Sequence, residues 1–380
     1  MQEFDVIIVG AGPAGSATAL HLLRQDPGWA ARILVLEKSR HPRPKLCGGG
    51  LTEWGEREVR KLGLGLTVPR VDVRQARFVF DGVTFSVWGP PVFRVTRRDE
   101  LDDWLCGCVK QSGAAVREGE AVRDVTVEAD GVRVVTDAGE YHARALVGAD
   151  GSNGIVRRRL GFAPAAERRV ARLLEVLTSE DPGHTREYLE GSAVFDFSPM
   201  AAGVQGYYWD FPSFVKGQAL MSRGVYDSRA APGAPKAMLK PALAEALARR
   251  ERSLAAVELH GHPIHWFDPG GEFSRPRVLL AGDAAGVDPL FGEGIGYAIA
   301  YGRVAAQALT RAFRSGDFSF RSYRRQILAD WLGRDLTLRY VGAKIAYRLI
   351  RTPRRARLAV RLARAVVPLI PWANRGKGVR

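Results

Sequence analysis

The chain has 380 residues, 46% of them hydrophobic and 26% charged, an ordinary composition for a folded globular protein and too apolar for a disordered one. Its three cysteines exclude a disulfide framework and point to a reducing, cytoplasmic compartment. A net charge of +15 suggests nucleic acid until it is located: residues 339 to 380 hold twelve Lys or Arg and no Asp or Glu, leaving +3 for the first 338 residues, so no nucleic-acid partner is expected.

The N-terminus MQEFDVIIVG has no basic region and cleavage site around its apolar run, and no stretch reaches the roughly 20 apolar residues of a spanning helix. Neither secretion nor membrane insertion is expected. The apolar run Val6 to Val9 instead reads as a buried parallel strand that stops at Gly10. Gly10, Gly12 and Gly15 fill a G-x-G-x-x-G pattern: a tight turn, a close backbone approach to a pyrophosphate, and a close helix–strand contact. An amphipathic helix follows over Pro13 to Arg24, its N-terminus offering free N–H groups and partial positive charge to phosphates. A second apolar run, Ile33 to Leu36, ends in Glu37, placed to accept from a ribose diol. This complete βαβ unit predicts dinucleotide binding, and the acid favours FAD or NAD over NADP.

The segment KSRHPRPKLCGGGLT after Glu37 is too rich in Pro, Gly and basic residues for regular structure. It is either a surface linker or a loop whose glycines pass close to a flat ligand. Thr52 is placed to cap a helix through Leu62, and Ala76 to Phe80 and Val83 to Val87 form a hairpin around Asp81-Gly82. A helix over Arg97 to Gln111 carries Arg98 on its first turn, where it either holds a phosphate or solvates a helix end. Strands are expected at Val122 to Glu128, Val132 to Thr136 and Ala145 to Val147, the last running into the small-residue turn Gly148 to Ser152 with Asp150, before a helix over Asn153 to Leu160.

From Arg168 to His265 the pattern changes to longer antiparallel-type strands, Val170 to Leu177, Ser192 to Phe197, Gln205 to Asp210 and Gly217 to Arg223, with a helix around Pro235 to Glu251. Tyr207, Tyr208, Trp209 and Phe211 crowd one stretch, as an aromatic floor or as plain core. His260, His262 and His265 lack an acid or Cys to complete a metal set, and Cys106 and Cys108, two apart on a helix, face different ways, so no metal is expected. The parallel fold resumes at Val278 to Ala281, followed by Gly282-Asp283 and by Gly292-Glu293-Gly294-Ile295 opening a helix to Arg314. Helices around Phe318 to Trp331 and Asp335 to Arg351 lead to Arg354 to Pro368, where arginines alternate with Leu, Val and Ala at helical intervals. That spacing fits either a helix lying on an anionic membrane surface, here the inner face, or a solvated helix packed on the protein.

The glycine turn with Glu37, Arg98 in RRDELDDWL, GADG at Gly148 to Gly151 and GDAAGVDPLFGEGI at Gly282 to Ile295 together resemble the para-hydroxybenzoate hydroxylase-like flavoproteins, up to about Arg314. The expected fold is α/β (α+β overall). A discontinuous Rossmann-like FAD-binding domain with a parallel sheet takes 1–71, 96–165 and 275–315; a mostly antiparallel β substrate domain takes 72–95 and 166–274; a helical, basic region takes 316–380. The resemblance implies FAD held by Gly10, Gly12, Pro13, Ala14, Gly15, Glu37 and Lys38 at its adenosine and pyrophosphate. It also implies pyrophosphate near Arg98, adenine against Val122, and contacts at Cys47, Gly48, Gly50, Asp150 and Gly282. The ribityl chain then falls on Asp283 and the isoalloxazine over Gly294 and Ile295. No second G-x-G-x-x-G follows a strand, so a nicotinamide donor would visit without a domain of its own.

KLCGGGLT at Lys45 to Thr52 and YYWDFP at Tyr207 to Pro212 further look like elements of the geranylgeranyl reductase family, which saturates prenyl double bonds of lipids, chlorophyll side chains and quinones. Tyr207, Trp209, Phe211 and Pro212 fill the second motif as expected substrate contacts, while Ser213 stands where a Lys is frequent. The expected substrate is an isoprenoid or prenylated lipid, and the expected donor NAD(P)H or a ferredoxin-type protein. Hydride from reduced FAD and a proton from Cys47, Tyr207 or a water would saturate the bond; Cys47 could equally only pack beside the ring. The rival expectation is a flavin monooxygenase or halogenase of an aromatic or lipid-like substrate. Aromatic hydroxylases lack the aromatic strand, and the lysine that flavin halogenases carry in their oxygen-handling loop has no clear counterpart here.

Overall fold

The computed structural model describes residues 2–162, 170–231, 233–349 and 353–366. In chain order these form β1 (Gln2–Val9), α1 (Pro13–Gln25), β2 (Ile33–Glu37), β3 (Gly50–Thr52), α2 (Glu53–Lys61), β4 (Arg70–Phe80), β5 (Val83–Thr96), α3 (Arg98–Gln111), β6 (Ala115–Glu118), β7 (Val122–Val127), β8 (Val132–Thr136), β9 (Glu140–Gly148) and α4 (Ile155–Arg159). They continue as β10 (Val170–Ser179), α5 (Arg186–Leu189), β11 (Ser192–Asp196), β12 (Gly206–Val215), β13 (Gln218–Asp227), α6 (Leu239–Ala248), β14 (His260–His265), β15 (Ser274–Arg275) and β16 (Val278–Leu280). Four helices close the chain: α7 (Ile295–Ser315), α8 (Tyr323–Ala329), α9 (Trp331–Leu349) and α10 (Pro353–Val366). The basic stretch from residue 367 onward, including the end of the expected Arg354–Pro368 helix, lies outside the described residues.

The first sheet runs β15-β16-β9-β1-β2-β6, with the antiparallel pair β7 and β8 attached through β9. Its centre is parallel: Val6 to Val9 pair with Ile33 to Leu36 on one side and with Ala145 to Gly148 on the other. Val6, Ile7 and Ile8 are fully buried because helices cover the sheet, which is why the strand reads as a continuous apolar run rather than an alternating one. Helix α7 crosses α1 so closely that a Cβ on Gly302 would stand 2.6 Å from the Ala17 Cβ, locking the end of the chain onto its beginning.

The second sheet, β14-β10-β13-β12-β11-β4-β5-β3, is antiparallel except where β11 runs beside β4. Strand β3 comes from the Gly-rich loop after β2. The sequence assigns this segment to the first domain, yet Gly50 to Thr52 pair with Phe93 to Val95 in the second sheet. Strand β6 is a further difference, too short and too mixed for its pattern to reveal. Strand β12 runs on past Asp210 to Val215, taking in Pro212 opposite Met221. The expected helices around Phe318 to Trp331 and Asp335 to Arg351 meet almost end to end at Asp330, whose carboxylate accepts from the Leu332 amide (3.0 Å) and pairs with both terminal nitrogens of Arg303.

Candidate active site

A cavity of about 860 Å³ is lined from both sheets, with dinucleotide-motif residues at one end and aromatic rings at the other. At the first end the backbone makes the wall. Gly10 has φ +103°, and a Cβ there would stand 2.5 Å from the Ala149 carbonyl oxygen; a Cβ on Gly15 would stand 1.8 Å from the Gly10 oxygen. The Glu37 carboxylate braces this turn, accepting from the Ala11 amide (3.0 Å) and the Ser39 amide (3.1 Å).

Two guanidinium groups stand at the turn. Arg98 makes a bidentate pair with Asp102 at 2.7 and 2.8 Å, and Arg43 approaches Oδ2 of that fully buried acid at 3.2 Å. A Cβ on Gly12 would have both guanidinium groups 3.7 Å away and nothing closer. The Arg43 Nε is buried without a hydrogen-bond partner among the described residues. The helix N-terminus, the open space beside Gly12 and two braced cations are the donor set a pyrophosphate takes, so the residues fit FAD. Beyond it lie Glu37, Lys38, Val122 and Asp150, at the place expected for the adenosine. Burial pushes the Asp150 carboxyl up to about 6.

The loop Arg43 to Gly50 runs along the middle of the cavity, and buried polar groups rather than its own regular structure hold it. The Cys47 amide donates to Glu175 Oε2 (2.9 Å), and Arg97 donates to the Cys47 carbonyl (3.3 Å) and to Glu175 Oε1 (3.1 Å). The same carboxylate accepts from the Ser222 hydroxyl (2.7 Å), which in turn accepts from the Trp209 indole N–H (3.1 Å). Burial pushes the Glu175 carboxyl up against the pull of Arg97. On the other side of the loop the Lys45 ammonium meets the His262 Nε2 at 2.8 Å. Burial, then Lys45, holds the His262 imidazole down to about 4, so it is neutral at pH 7 and accepts from the lysine.

At the far end Phe78, Phe93, Phe195, Tyr207, Trp209, Phe211, Tyr226 and Phe291 wall the cavity, joined by Val92, Leu173, Ile264 and Val287. The period of a strand sends Tyr207, Trp209 and Phe211 to this face. The same period sends Pro212 to the opposite one, and Pro212 does not line the cavity, contrary to the expected substrate contact. Tyr208 also faces away and donates its hydroxyl to Asp210 at 2.7 Å, which accounts for its full burial as core. Tyr207 Oη donates to the Phe291 carbonyl at 2.5 Å, and burial raises its ionisation well above that of an ordinary phenol.

Thus Gly10, Gly12, Pro13, Ala14, Glu37, Lys38, Cys47, Gly48, Gly50, Arg98, Val122, Asp150, Tyr207, Trp209, Phe211, Asp283, Gly294 and Ile295 share one cavity wall. Gly15 and Gly282 stand behind it as packing positions, where a Cβ on Gly282 would meet the Ala14 Cβ at 2.7 Å. The sequence reading missed Arg43, Glu175 and Ser222, which carry no motif, weighed His262 only as a metal ligand and not as the partner of Lys45, and passed over Glu293 inside a glycine pattern it read for its backbone. His260, His262 and His265 are not among the groupings with metal-ligand spacing in the described residues. The groupings with metal-ligand spacing there are His41, Cys106 and Glu118, and Glu128, Asp130 and His142. In the first, Lys110 already pairs with Glu118 and burial pushes the Cys106 thiol up to about 11, away from the thiolate a metal needs.

Fold and cavity define an FAD-dependent oxidoreductase. A family model described as an FAD binding domain matches residues 3–323, and the chain belongs to that family. It is 31% identical to a menaquinone reductase of Mycolicibacterium smegmatis over 80% of this chain and 76% of that one. It is 28% identical to digeranylgeranylglycerophospholipid reductase 2 of Methanopyrus kandleri over 84% of this chain and 80% of that one. A geranylgeranyl bacteriochlorophyll reductase-like protein of Thermoplasma acidophilum superposes with a TM-score of 0.76 at 22% identity, covering 93% and 88% of the two chains. Flavin-dependent halogenases share the fold at lower similarity.

Proposed function

We propose that the protein saturates carbon–carbon double bonds of a polyprenyl lipid or isoprenoid side chain. The carrying observation is the aromatic end of the cavity, continuous with the dinucleotide end and walled mainly by rings and aliphatic side chains. The names of the relatives, two of which refer to geranylgeranyl lipids or pigments, support the same reading.

Bound FAD, once reduced, supplies a hydride. The chain's own residues do the rest. The helix N-terminus at Gly12, with Arg43 and Arg98, binds the pyrophosphate, and Glu37, Lys38, Val122 and Asp150 seat the adenosine. Asp283, Gly294 and Ile295 flank the ring end together with Cys47, Gly48 and Gly50. Tyr207, Trp209 and Phe211 hold the alkene flat and keep water out. Cys47 and Tyr207 stand at the reacting bond, and Tyr207 would have to leave the Phe291 carbonyl before giving up its proton. Replacing Cys47 by Ala should leave FAD bound and lower turnover; unchanged turnover would remove Cys47 from the mechanism.

The substrate's apolar chain points to a membrane surface as its source. Helix α10 exposes Leu358, Leu362 and Val366 along one stripe among Arg354, Arg355, Arg361 and Arg364, while α9 exposes Leu338, Val341 and Ile345. Among the described residues no helix is long and apolar enough to cross a membrane. Deleting residues 352–380 should weaken salt-sensitive binding to anionic vesicles and leave the flavin spectrum unchanged.

The deciding experiment is anaerobic: enzyme reduced with dithionite is mixed with geranylgeranyl lipids or a prenylated quinone and the product weighed. Two added hydrogens per bond support the proposal. An added oxygen or halogen in the aerobic reaction, with no anaerobic saturation, replaces it with the monooxygenase or halogenase reading. A donor screen with NADPH, NADH and reduced ferredoxin identifies the electron source.

A further inference from the structure

Saturation of an alkene needs a proton as well as a hydride, and the described structure holds a carboxyl group suited to give it. Glu293 lines the cavity beside Gly292, Gly294 and Ile295, on the same wall as Tyr207 and Phe291. Its side chain is 11% exposed. The Thr52 hydroxyl donates to its Oε1 at 2.8 Å, and Arg339 of α9 lies 3.4 Å from its Oε2.

Charge counting in this cluster singles Glu293 out. Arg339 faces three carboxyl groups: Asp288 at 2.7 Å, Asp335 at 2.9 Å and Glu293. One guanidinium does not balance three carboxylates in a buried site, so the set favours keeping a proton. Asp288 accepts from the Leu290 and Phe291 amides at 2.7 and 3.2 Å as well as from Arg339. Asp335 accepts from the Tyr297 hydroxyl and from Arg339 Nε, and at 36% exposure it reaches water. Among the described residues no backbone N–H donates to Glu293, so it is the member with least to lose by being neutral. Tyr207 on β12, Tyr226 on β13, Tyr297 on α7 and Tyr347 on α9 are phenols that burial keeps protonated, while Asp283, whose Oδ1 is 3.6 Å from the Cβ position of Gly294, and Cys47 line the same cavity.

We propose that Glu293 is the general acid of the reaction, a role that rests on the reductase reading above. Its O–H bond breaks as a C–H bond forms at one alkene carbon, while the hydride from reduced flavin arrives at the other; the carboxylate left behind takes a proton from water through the open Asp335 side of the cluster. Cys47 and Tyr207 then position the alkene. Burial, acting against Arg339, pushes the Glu293 carboxyl up to about 7, so the acid is available at neutral pH.

The test uses Glu293→Gln in the holoenzyme. The first readout needs no substrate: in infrared difference spectra between pH 6 and pH 8, the wild type should show loss of a protonated-carboxyl band, missing from the variant. Absence of that difference overturns the proposal even if the variant is inactive. The second is anaerobic reoxidation of the reduced enzyme by an isoprenoid that the wild type saturates. Glu293→Gln should slow it about a hundredfold, with its descending limb near pH 7 lost and reduction by dithionite unchanged. Reoxidation at the wild-type rate overturns the proposal and leaves the reductase reading standing. A wild type that reoxidises with no isoprenoid removes the reading and this role together.

Discussion

The two ends of the cavity are built from different materials. Around Gly10 to Gly15 the wall is main chain, with side chains confined to the bracing acids Glu37 and Asp102 and to two cations. Around Tyr207 to Phe211 it is rings, hung on a sheet whose buried Glu175 and Ser222 are sealed in with Arg97, the residue just before α3. Where main chain meets main chain, at Gly10 and Gly15, there is no room for growth, so the first end is sensitive there to a single added carbon. Rings are replaceable by other rings, so the second end is sensitive instead to loss of a buried charge partner. One end suits an invariant anionic ligand, the other an apolar chain of variable length.

The largest expected effect breaks the first end. In Gly15→Ala the new methyl would stand 1.8 Å from the Gly10 oxygen, and α1 must leave the sheet to make room. The purified variant should be colourless and remain so after reconstitution with FAD, read by visible absorbance; a normal flavin spectrum would show that the helix accommodates the methyl. The corresponding break at the other end is Glu175→Ala, which leaves Arg97 buried and unpaired and frees the Cys47 amide. It should cost about 3–5 kcal/mol in urea unfolding, and Glu175→Gln, which keeps the shape and part of the bonding, should recover a good share of it.

A third measurement separates the ends by pH. His21 sits on α1, where burial and then Arg303 hold its imidazole down to about 4. Its folded value lies below the unfolded 6.5, so the stability it confers is complete above pH 6.5 and lost as pH falls toward 4, about 3 kcal/mol in all. Its Nε2 has no partner among the described residues, so His21→Leu should flatten this part of the pH profile without loss of stability at pH 7.5. A profile unchanged by the substitution would assign the acid sensitivity elsewhere, with His262 next in line. The smallest effect is Trp209→Phe, which loses the indole bond to Ser222 and part of the fused ring packed on Gly224, about 2 kcal/mol in urea unfolding.

The same contrast governs what a reader of the sequence could see. Gly10, Gly12, Gly15 and Glu37 carry their roles in consecutive backbone geometry, so spacing alone reveals them. The alternation through Tyr207, Trp209 and Phe211 likewise gives the inward face, and applied one residue further it already excludes Pro212. Glu175 is different: it is one acid in an apolar strand, and its meaning comes from Cys47, Arg97 and Ser222, which lie 128, 78 and 47 positions away. Glu293 was hidden otherwise, inside a glycine pattern whose purpose seemed complete without it. Its proposed role arises from Arg339, on a helix that the flavoprotein resemblance does not cover.

Strand β3 has one more consequence. The loop that crosses the middle of the cavity leaves the parallel sheet after Glu37 and is stitched into the other sheet by the pairing of Gly50 to Thr52 with Phe93 to Val95. It is a hem rather than a door. Fixed to one sheet at its start and to the other at its end, the loop moves only with both, so the middle of the cavity wall is as rigid as the seam between the two halves of the molecule.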